Sequence, residues 1–457
     1  MLTASVARDL LSLIGNTPIV QITRFDTGPC SLFVKLESQN PGGSIKDRMG
    51  RFMIEAAEES GALKPGGTII EATAGNTGLG LALVCVLKGY KLQLVIPDKM
   101  SSEKIAHLRA LGAEVILTRS DVGKGHPENY QDLAARIASE TGAYFVNQFT
   151  NPANPLAHEV TTGPEIWDQM DHDVDAIICG VGSGGTVTGL SRFFEKVRPE
   201  VEFVLADPLG SSLTEYIHTG KLGAPGSYAV EGIGSSSIPK VADLSRVTSA
   251  YTISDAVSFS TCRELLKREA IFPGSSSGTL VAAALEYCRA QTGPKRVVTF
   301  ICDSGNKYLS KMYNDYWMID QGFIQRPTSG DLRDLLTRRY EEGSIITVGP
   351  QDTLLTAFQR MRVADVSQVP VMENGHAIGI LDESDVLVAV HGDETRFRDP
   401  VSTAMTTKLQ TIAPTAKVDD VLPILDKGLV ALVVEDDRFL GLITRIDLLN
   451  HLRRRLK

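Results

Sequence analysis

Three features are scarce or missing in this 457-residue sequence, and each narrows the class of protein. The six cysteines are scattered without a CxxC pair, which argues against a metal site or a disulfide framework and favours a reducing compartment. No apolar run has the length of a membrane span, and no signal peptide is predicted. Positive charge is not in excess, because the net charge is −9. We therefore expect a cytoplasmic protein that binds no metal, no nucleic acid and no membrane.

The chain does contain short apolar runs that alternate with helical patterns, from Ser31 to about Cys302. TIIEATAGNTGLGLALVCVLKG is typical of a strand, a glycine loop and a helix, and KLQLVIPD is typical of the next strand. DAIICGVGSGGTVTGLSRFF repeats the pattern. This alternation predicts an α/β fold in which mostly parallel sheets are covered by helices, with the functional groups at the carboxyl ends of the strands.

The segment NPGGSIKDR, Asn40 to Arg48, places a lysine where a predicted strand gives way to a predicted helix. Ser44 as N-cap and Asp47 three residues later suggest a capping box, which puts Lys46 in the first turn. The partial positive charge of that helix end favours the neutral amine, which is a nucleophile. The alternative is an ordinary solvated surface lysine.

Three further loops with small or hydroxyl-bearing residues follow predicted strands and open helices. TAGNT, Thr73 to Thr77, suits a carboxylate, and GSGGT, Gly182 to Thr186, offers backbone donors that suit a phosphate. FPGSSSGT brings the hydroxyls of Ser275 to Ser277 to a third helix start. Tight turns and a serine-rich N-cap are the structural alternatives for these loops.

A competing interpretation uses the second loop differently. Gly180, Gly182 and Gly185 spell G-x-G-x-x-G, and Asp207 ends the next strand, as in a dinucleotide fingerprint. That hypothesis predicts an NAD-dependent oxidoreductase. It leaves Lys46 and the TAGNT loop without a role.

Pyridoxal 5′-phosphate (PLP) would use all of these groups, because it carries an aldehyde, a phosphate and a ring nitrogen. With these motifs the chain resembles the fold-type II PLP enzymes, the family that includes cysteine synthase and cystathionine β-synthase. The resemblance assigns the Schiff base to Lys46, the ring hydroxyl to Asn76, the phosphate to Gly182, Ser183, Gly184, Gly185 and Thr186, and the pyridine nitrogen to Ser276. It assigns the substrate to Thr73, Gly75, Asn76, Thr77 and Gln148, and to Gly232 in the mobile EGIG loop, Glu231 to Gly234.

The last third of the chain holds an internal repeat with an offset of 62 to 64 residues. It resembles a pair of CBS domains, also called a Bateman module. We predict a catalytic domain at residues 1–322, a linker at 323–342, and CBS domains at 343–400 and 401–457. The resemblance implies an adenosine ligand held by Gln368, Asp385, Thr444, Ile446 and Asp447. The alternative is a module that serves only dimerisation.

The resemblance also implies a reaction. A serine opposite the ring nitrogen gives a weaker electron sink than an aspartate, which favours β-replacement. Together with the CBS pair, this predicts replacement of the serine hydroxyl by homocysteine, giving cystathionine and water, with release of hydrogen sulfide as a side reaction. The nearest alternative is cysteine synthesis from O-acetylserine and sulfide. A more distant alternative is a catalytically silent nucleotide sensor.

The sequence departs from the family pattern at several positions. Ala74 replaces the usual serine of the TAGNT loop, and Ser235 follows EGIG where the animal enzymes carry an aromatic residue. Val366 and Ser367 replace the aromatic and acidic residues typical of S-adenosylmethionine binders. No heme is expected, because no Cys/His pair precedes the catalytic motifs. The family usually dimerises through its catalytic core, so we expect a homodimer or a higher homo-oligomer.

Overall fold

The computed structural model describes residues 6–73, 75–98, 100–123 and 125–454, so Ala74 lies outside the described residues. The chain divides into two compact units, the first ending at Asn314 and the second beginning at Asp315. The four domain limits predicted from the sequence stay predictions.

The first unit alternates strands and helices. Its strands are β1 (Ile19–Ile22), β2 (Ser31–Lys35), β3 (Thr68–Ala72), β4 (Lys91–Pro97), β5 (Glu114–Thr118), β6 (Tyr144–Phe145), β7 (Ala176–Cys179), β8 (Glu202–Pro208), β9 (Val247–Ile253) and β10 (Arg296–Phe300). Its helices are α1 (Lys46–Glu59), α2 (Asn76–Lys88), α3 (Ser102–Ala110), α4 (Tyr130–Thr141), α5 (Ala153–Ala157), α6 (Gly163–Gln169), α7 (Gly185–Val197), α8 (Leu213–Thr219), α9 (Asp255–Glu269) and α10 (Ser275–Arg289). A π-helical turn, His158–Thr162, joins α5 to α6.

Two sheets organise this unit. One has the order β1-β2-β10-β7-β8-β9, in which only the β1–β2 pair is antiparallel, and the other is fully parallel with the order β5-β4-β3-β6. Helices α2 and α10 are apolar around most of their circumference and are correspondingly buried. The predicted α/β class with two parallel-type sheets is confirmed.

The second unit begins with α11 (Asp315–Asp320) and contains the sequence repeat. The first repeat has α12 (Leu354–Ala364), β11 (Gln368–Glu373), β12 (His376–Asp382) and α13 (Glu383–Val390). The second has β13 (Thr411–Ile412), α14 (Val418–Asp426), β14 (Ala431–Glu435), β15 (Arg438–Ile443) and α15 (Arg445–Arg454). Each β-hairpin is antiparallel and carries a bulge at the equivalent position, after Val371 and after Val433. The two repeats are therefore copies in structure as well as in sequence.

Part of the predicted linker packs as core in this unit. Residues Leu332–Leu335 form a short 3-10 helix, and Leu332, Leu335 and Leu336 are buried with apolar residues of the second repeat. Burial of these leucines stabilises the repeat. Polar and charged neighbours made this stretch resemble a linker in the sequence.

Candidate active site

Lys46 is the first residue of α1 and lines a cavity at the carboxyl ends of the strands. The predicted capping box is wrong. The N-cap is Ile45, and Ser44 instead forms an isolated backbone bridge with Asp303, which lies beyond the end of β10. The Asp47 carboxylate accepts the Gly42 N–H rather than that of Ser44. The bridge between Ser44 and Asp303 fixes the start of α1, and burial lowers the pKa of the Lys46 amine.

The cavity brings together predicted residues from distant parts of the chain. Its lining includes Lys46, Asn76, Gly182, Gly184, Thr186, Gly232 and Ser276. Ser276 lies in the first turn of α10, and a Cβ at Gly232 would lie 3.9 Å from its Oγ. The cavity thus places an amine, an amide, a helix N-terminus and a hydroxyl around one space.

The glycine loop before α7 can only be built from small residues. A Cβ on Gly182 would overlap the Gly232 carbonyl, and one on Gly184 would overlap Ala242. Gly184 has a φ of +89°, which disfavours other residues. This packing leaves backbone N–H groups at the N-terminus of α7 as the donors beside the cavity, a favourable environment for a phosphate.

Side chains behind the loop hold it in place. The Asn154 amide donates to Ser183 Oγ at 3.0 Å and to the Gln148 carbonyl at 2.8 Å. Thr186 Oγ1 lies 3.3 Å from His158 Nε2. Burial lowers the pKa of His158 to about 3, so its ring is neutral. The donor set of this loop therefore fits the phosphate of PLP, and Ser276 fits its ring nitrogen.

The predicted carboxylate site adjoins the cavity at the start of α2. Thr77 Oγ1 donates to Gln148 Oε1 at 2.8 Å, although the two residues are far apart in the sequence. Thr73 Oγ1 accepts the Gly75 N–H at 3.0 Å, and Gly75 has a φ of +117°. Hydroxyl, amide and backbone donors are thus gathered at the N-terminus of a helix, where an anion is favoured.

A buried acid that sequence reasoning missed lies directly beneath this group. Glu71, in β3, is fully buried and accepts the Gln148 N–H at 3.4 Å. Burial raises its pKa to about 8, against the opposing effect of the N–H groups of Gln148 and Asn147. Its carboxyl is therefore largely protonated at neutral pH.

We predict that Glu71→Gln makes stability less dependent on pH. Because the pKa of Glu71 is raised on folding, the native state holds a proton that the unfolded chain releases above about pH 4.5. The stability that the protonated Glu71 contributes is then lost as the pH rises towards about 8. The variant should gain a few kcal/mol over the wild type near pH 8 and little near pH 4. Chemical unfolding of both proteins between about pH 4 and pH 8 measures this difference in the free energy of unfolding. The exposed Glu140→Gln is the control.

Four more residues missed in the sequence surround Asn76. Asp303, Lys307 and Tyr308 follow β10, and Lys104 lies on α3. Asn76 Nδ2 donates to Asp303 Oδ2 at 2.8 Å, and Lys307 Nζ donates to Asn76 Oδ1 at 3.0 Å. The one sequence feature that could have indicated three of these residues is that the segment CDSGNKY follows a strand of the predicted sheet.

The predicted nucleotide residues lie in the second unit at two equivalent helix starts. Asp385 accepts the Asp382 N–H at 3.1 Å at the start of α13, and Asp447 accepts the Thr444 N–H at 2.9 Å at the start of α15. Gln368 opens β11, and Ile446 is 61% exposed. Both acids therefore cap helices, whatever else they bind.

Comparisons with known proteins identify the family to which the chain is similar. The family "Pyridoxal-phosphate dependent enzyme" matches residues 10–303, and the CBS domain family matches residues 332–392 and 401–454. Cystathionine beta-synthase of Dictyostelium discoideum is 34% identical over 97% of this chain and 92% of its own length. That of Mus musculus is 36% identical over 94% and 78%. The crystal structure of O-acetylserine dependent cystathionine beta-synthase from Helicobacter pylori has a TM-score of 0.63 and 35% identity, covering 67% of this chain and 99% of that one.

The fold, the cavity and these matches define a PLP-dependent enzyme of α/β architecture that carries a pair of CBS domains. More specifically, the chain belongs to the cystathionine β-synthase family. The alternative of an NAD oxidoreductase is thereby overturned. The structure also argues against that alternative. Asp207, the acidic residue of the dinucleotide fingerprint, is buried, and its carboxylate already accepts two hydrogen bonds from Thr214. Among the described residues, none of the helices combines the length and apolar character needed to cross a membrane.

Proposed function

We propose that this chain replaces the hydroxyl of serine with the thiol of homocysteine, giving cystathionine and water. The observation that carries the proposal is the Lys46 amine, lowered in pKa by burial, in one cavity with the α7 N-terminus and Ser276. When bound, PLP supplies the electron sink for this chemistry. The family assignment and the CBS pair support the choice of reaction.

Each group of the chain has a separate task in this proposal. Lys46 holds the cofactor and then takes and returns the proton at the substrate Cα, for which an amine with a lowered pKa is suited. The backbone N–H groups before α7, with the Thr186 hydroxyl, hold the phosphate. Thr77 and Gln148 orient the substrate carboxylate, and Gly232 belongs to the loop that excludes water.

A paired substrate assay tests the proposal. Purified holoenzyme is given serine plus homocysteine, and separately O-acetylserine plus sulfide or homocysteine. We expect the highest kcat/KM with serine plus homocysteine. Higher efficiency with O-acetylserine plus sulfide would favour the cysteine synthase alternative. A preference for O-acetylserine with homocysteine would keep the product and change the first substrate, as the name of the Helicobacter pylori relative indicates for that protein.

We predict that Thr77→Val raises the KM for the amino-acid substrate by about tenfold, because the hydroxyl that would bind the charged carboxylate is lost. The change keeps the volume of the side chain. The hydroxyl has one proton, which it donates to Gln148 Oε1 in this structure and would donate to the carboxylate when substrate binds. Steady-state kinetics at saturating second substrate measures it. Thr141→Val, at the exposed end of α4, is the matched control. An unchanged KM would place the carboxylate elsewhere.

The CBS pair adds a second, regulatory proposal. We infer that it binds an adenosine derivative, with Asp385 and Asp447 at the two equivalent helix starts. Equilibrium dialysis of the holoenzyme with AMP, ATP and S-adenosylmethionine tests it, with Asp447→Asn expected to weaken binding.

The cytoplasmic location and the homo-oligomer stay predictions, and light scattering of the purified protein tests the oligomer.

A further inference from the structure

The Asn76 amide is held at both ends by charged side chains. Its Nδ2 donates to the Asp303 carboxylate at 2.8 Å, and its Oδ1 accepts from Lys307 Nζ at 3.0 Å. A carboxylate only accepts and an ammonium only donates, so the chemistry of the partners fixes which end is which. Flipping the amide would set its oxygen against Asp303 and its NH₂ against Lys307, and both bonds would be lost.

Both partners are themselves fixed. Asp303 is fully buried and accepts a second hydrogen bond from the Tyr308 hydroxyl at 2.8 Å. Lys307 Nζ donates to the carbonyl oxygens of Gly42 and Gly43 at 3.0 and 3.1 Å. The two glycines before Lys46 thus bring backbone carbonyls within reach of this ammonium. The Asn76 side chain has little freedom to turn.

The locked amide determines what Asn76 offers to the cavity that it lines beside Lys46. Lys307 takes one acceptor position of Oδ1, while Nδ2 has two N–H groups and Asp303 takes one. Within the described part of the chain, the second N–H is the donor that the amide has left to offer. It pairs with an acceptor, such as an ionised oxygen, better than with a hydroxyl that must donate.

The network continues from Asp303 to the EGIG loop. Lys104 Nζ donates to Tyr308 OH at 2.9 Å and to Glu231 Oε2 at 2.7 Å. Lys311 holds the other oxygen of Glu231 at 2.7 Å. Lys104 and Glu231 are buried, and a charge pair in that environment is costly to break on one side. The stem of Lys104 also packs against Gly75, next to Asn76.

We propose that Asp303 and Lys307 are positioning residues that hold Asn76 as a hydrogen-bond donor towards the ring hydroxyl of the cofactor. This donor favours the ionised form of that hydroxyl. Tyr308 and Lys104 couple the hold on Asn76 to Glu231 of the EGIG loop. The inference rests on the proposed function only in requiring PLP on Lys46. Loss of any member of this chain of hydrogen bonds is expected to weaken the hold on Asn76.

The absorbance of the resting holoenzyme tests the lock without any substrate. A Schiff base of PLP absorbs in the visible when the ring oxygen is ionised and in the near ultraviolet when it carries the proton. We expect Asp303→Asn and Lys307→Met each to raise the ratio of near-ultraviolet to visible absorbance by about tenfold, as the loss of a hydrogen bond to a charged group implies. Unchanged ratios at full PLP content in both variants would overturn the proposal.

The coupling to the loop has its own test. Tyr308→Phe and Lys104→Met should shift the same ratio in the same direction, and Lys104→Met combined with Asp303→Asn should shift it by less than the product of the two effects. Tyr90→Phe, which removes a hydroxyl bonded to Glu58 instead, is the matched control and should leave the spectrum unchanged. If Tyr308→Phe and Lys104→Met both had the wild-type spectrum, the proposed coupling between Asn76 and the EGIG loop would be contradicted. Substrate preference is assayed separately, so a wrong substrate pair would not alter these outcomes.

Discussion

Lys46→Ala is expected to abolish turnover and the covalent attachment of PLP. The side chain is the amine that begins α1, and burial lowers its pKa so that the neutral, nucleophilic form is more accessible. It is also the proposed base at the substrate Cα, a role that contributes up to about 10⁴-fold to rate. We therefore expect kcat/KM to fall by about 10⁴-fold or more, which is the largest effect among these predictions.

Borohydride reduction followed by peptide mass spectrometry measures the attachment directly. In the wild type we expect the visible absorbance to be bleached and the adduct to lie on Lys46. The exposed Lys64→Ala is the control and should keep both colour and activity. An adduct on Lys104 or Lys307, the buried lysines near the cavity, would contradict the assignment. Retention of activity by Lys46→Ala would refute the role in proton transfer.

The residues of the cavity were predictable where a local pattern coincided with a strand end. Lys46 and the GSGGT loop follow β2 and β7 of one sheet, and parallel strands deliver their carboxyl ends to one edge. Ser276 follows helix α9, so the strand predicted before its loop was wrong. Glycine spacing and a helix start are local signals, so one sequence suffices to find them. The cofactor followed from their combination and from resemblance to a family.

The supporting residues were not predictable in this way, because their partners are distant in the sequence. Lys104 and Glu231 meet only when α3 packs against the EGIG loop, and Tyr308 reaches Lys104 from beyond β10. A lysine on a helix gives no local sign that it will be buried. The error at Ser44 has the same origin, since its backbone pairs with Asp303 across the fold. Local capping rules do not include such a partner.

Gly185→Ala carries the second large expected effect, and it acts first on the phosphate loop. A Cβ at Gly185 would overlap Asn154 Oδ1, although the backbone at this position imposes no left-handed strain. Asn154 cannot move without cost, because its amide bonds Ser183 and the Gln148 carbonyl. Relief of the overlap must therefore shift the loop or the helix start, at about 1–3 kcal/mol.

That shift is expected to weaken PLP binding by about tenfold or more, because the N–H groups before α7 no longer converge on one point. Dialysis against a carbonyl scavenger, followed by titration of the apoenzyme with PLP, measures the change. Gly293→Ala is the matched control, since a Cβ there meets no neighbouring atom within 4 Å, and it should bind PLP like the wild type. Gly185→Ala with unchanged PLP affinity would mean that the phosphate is held elsewhere. Weakened affinity with a smaller change in KM for serine would place the damage at the phosphate and not at the carboxylate site around Thr77.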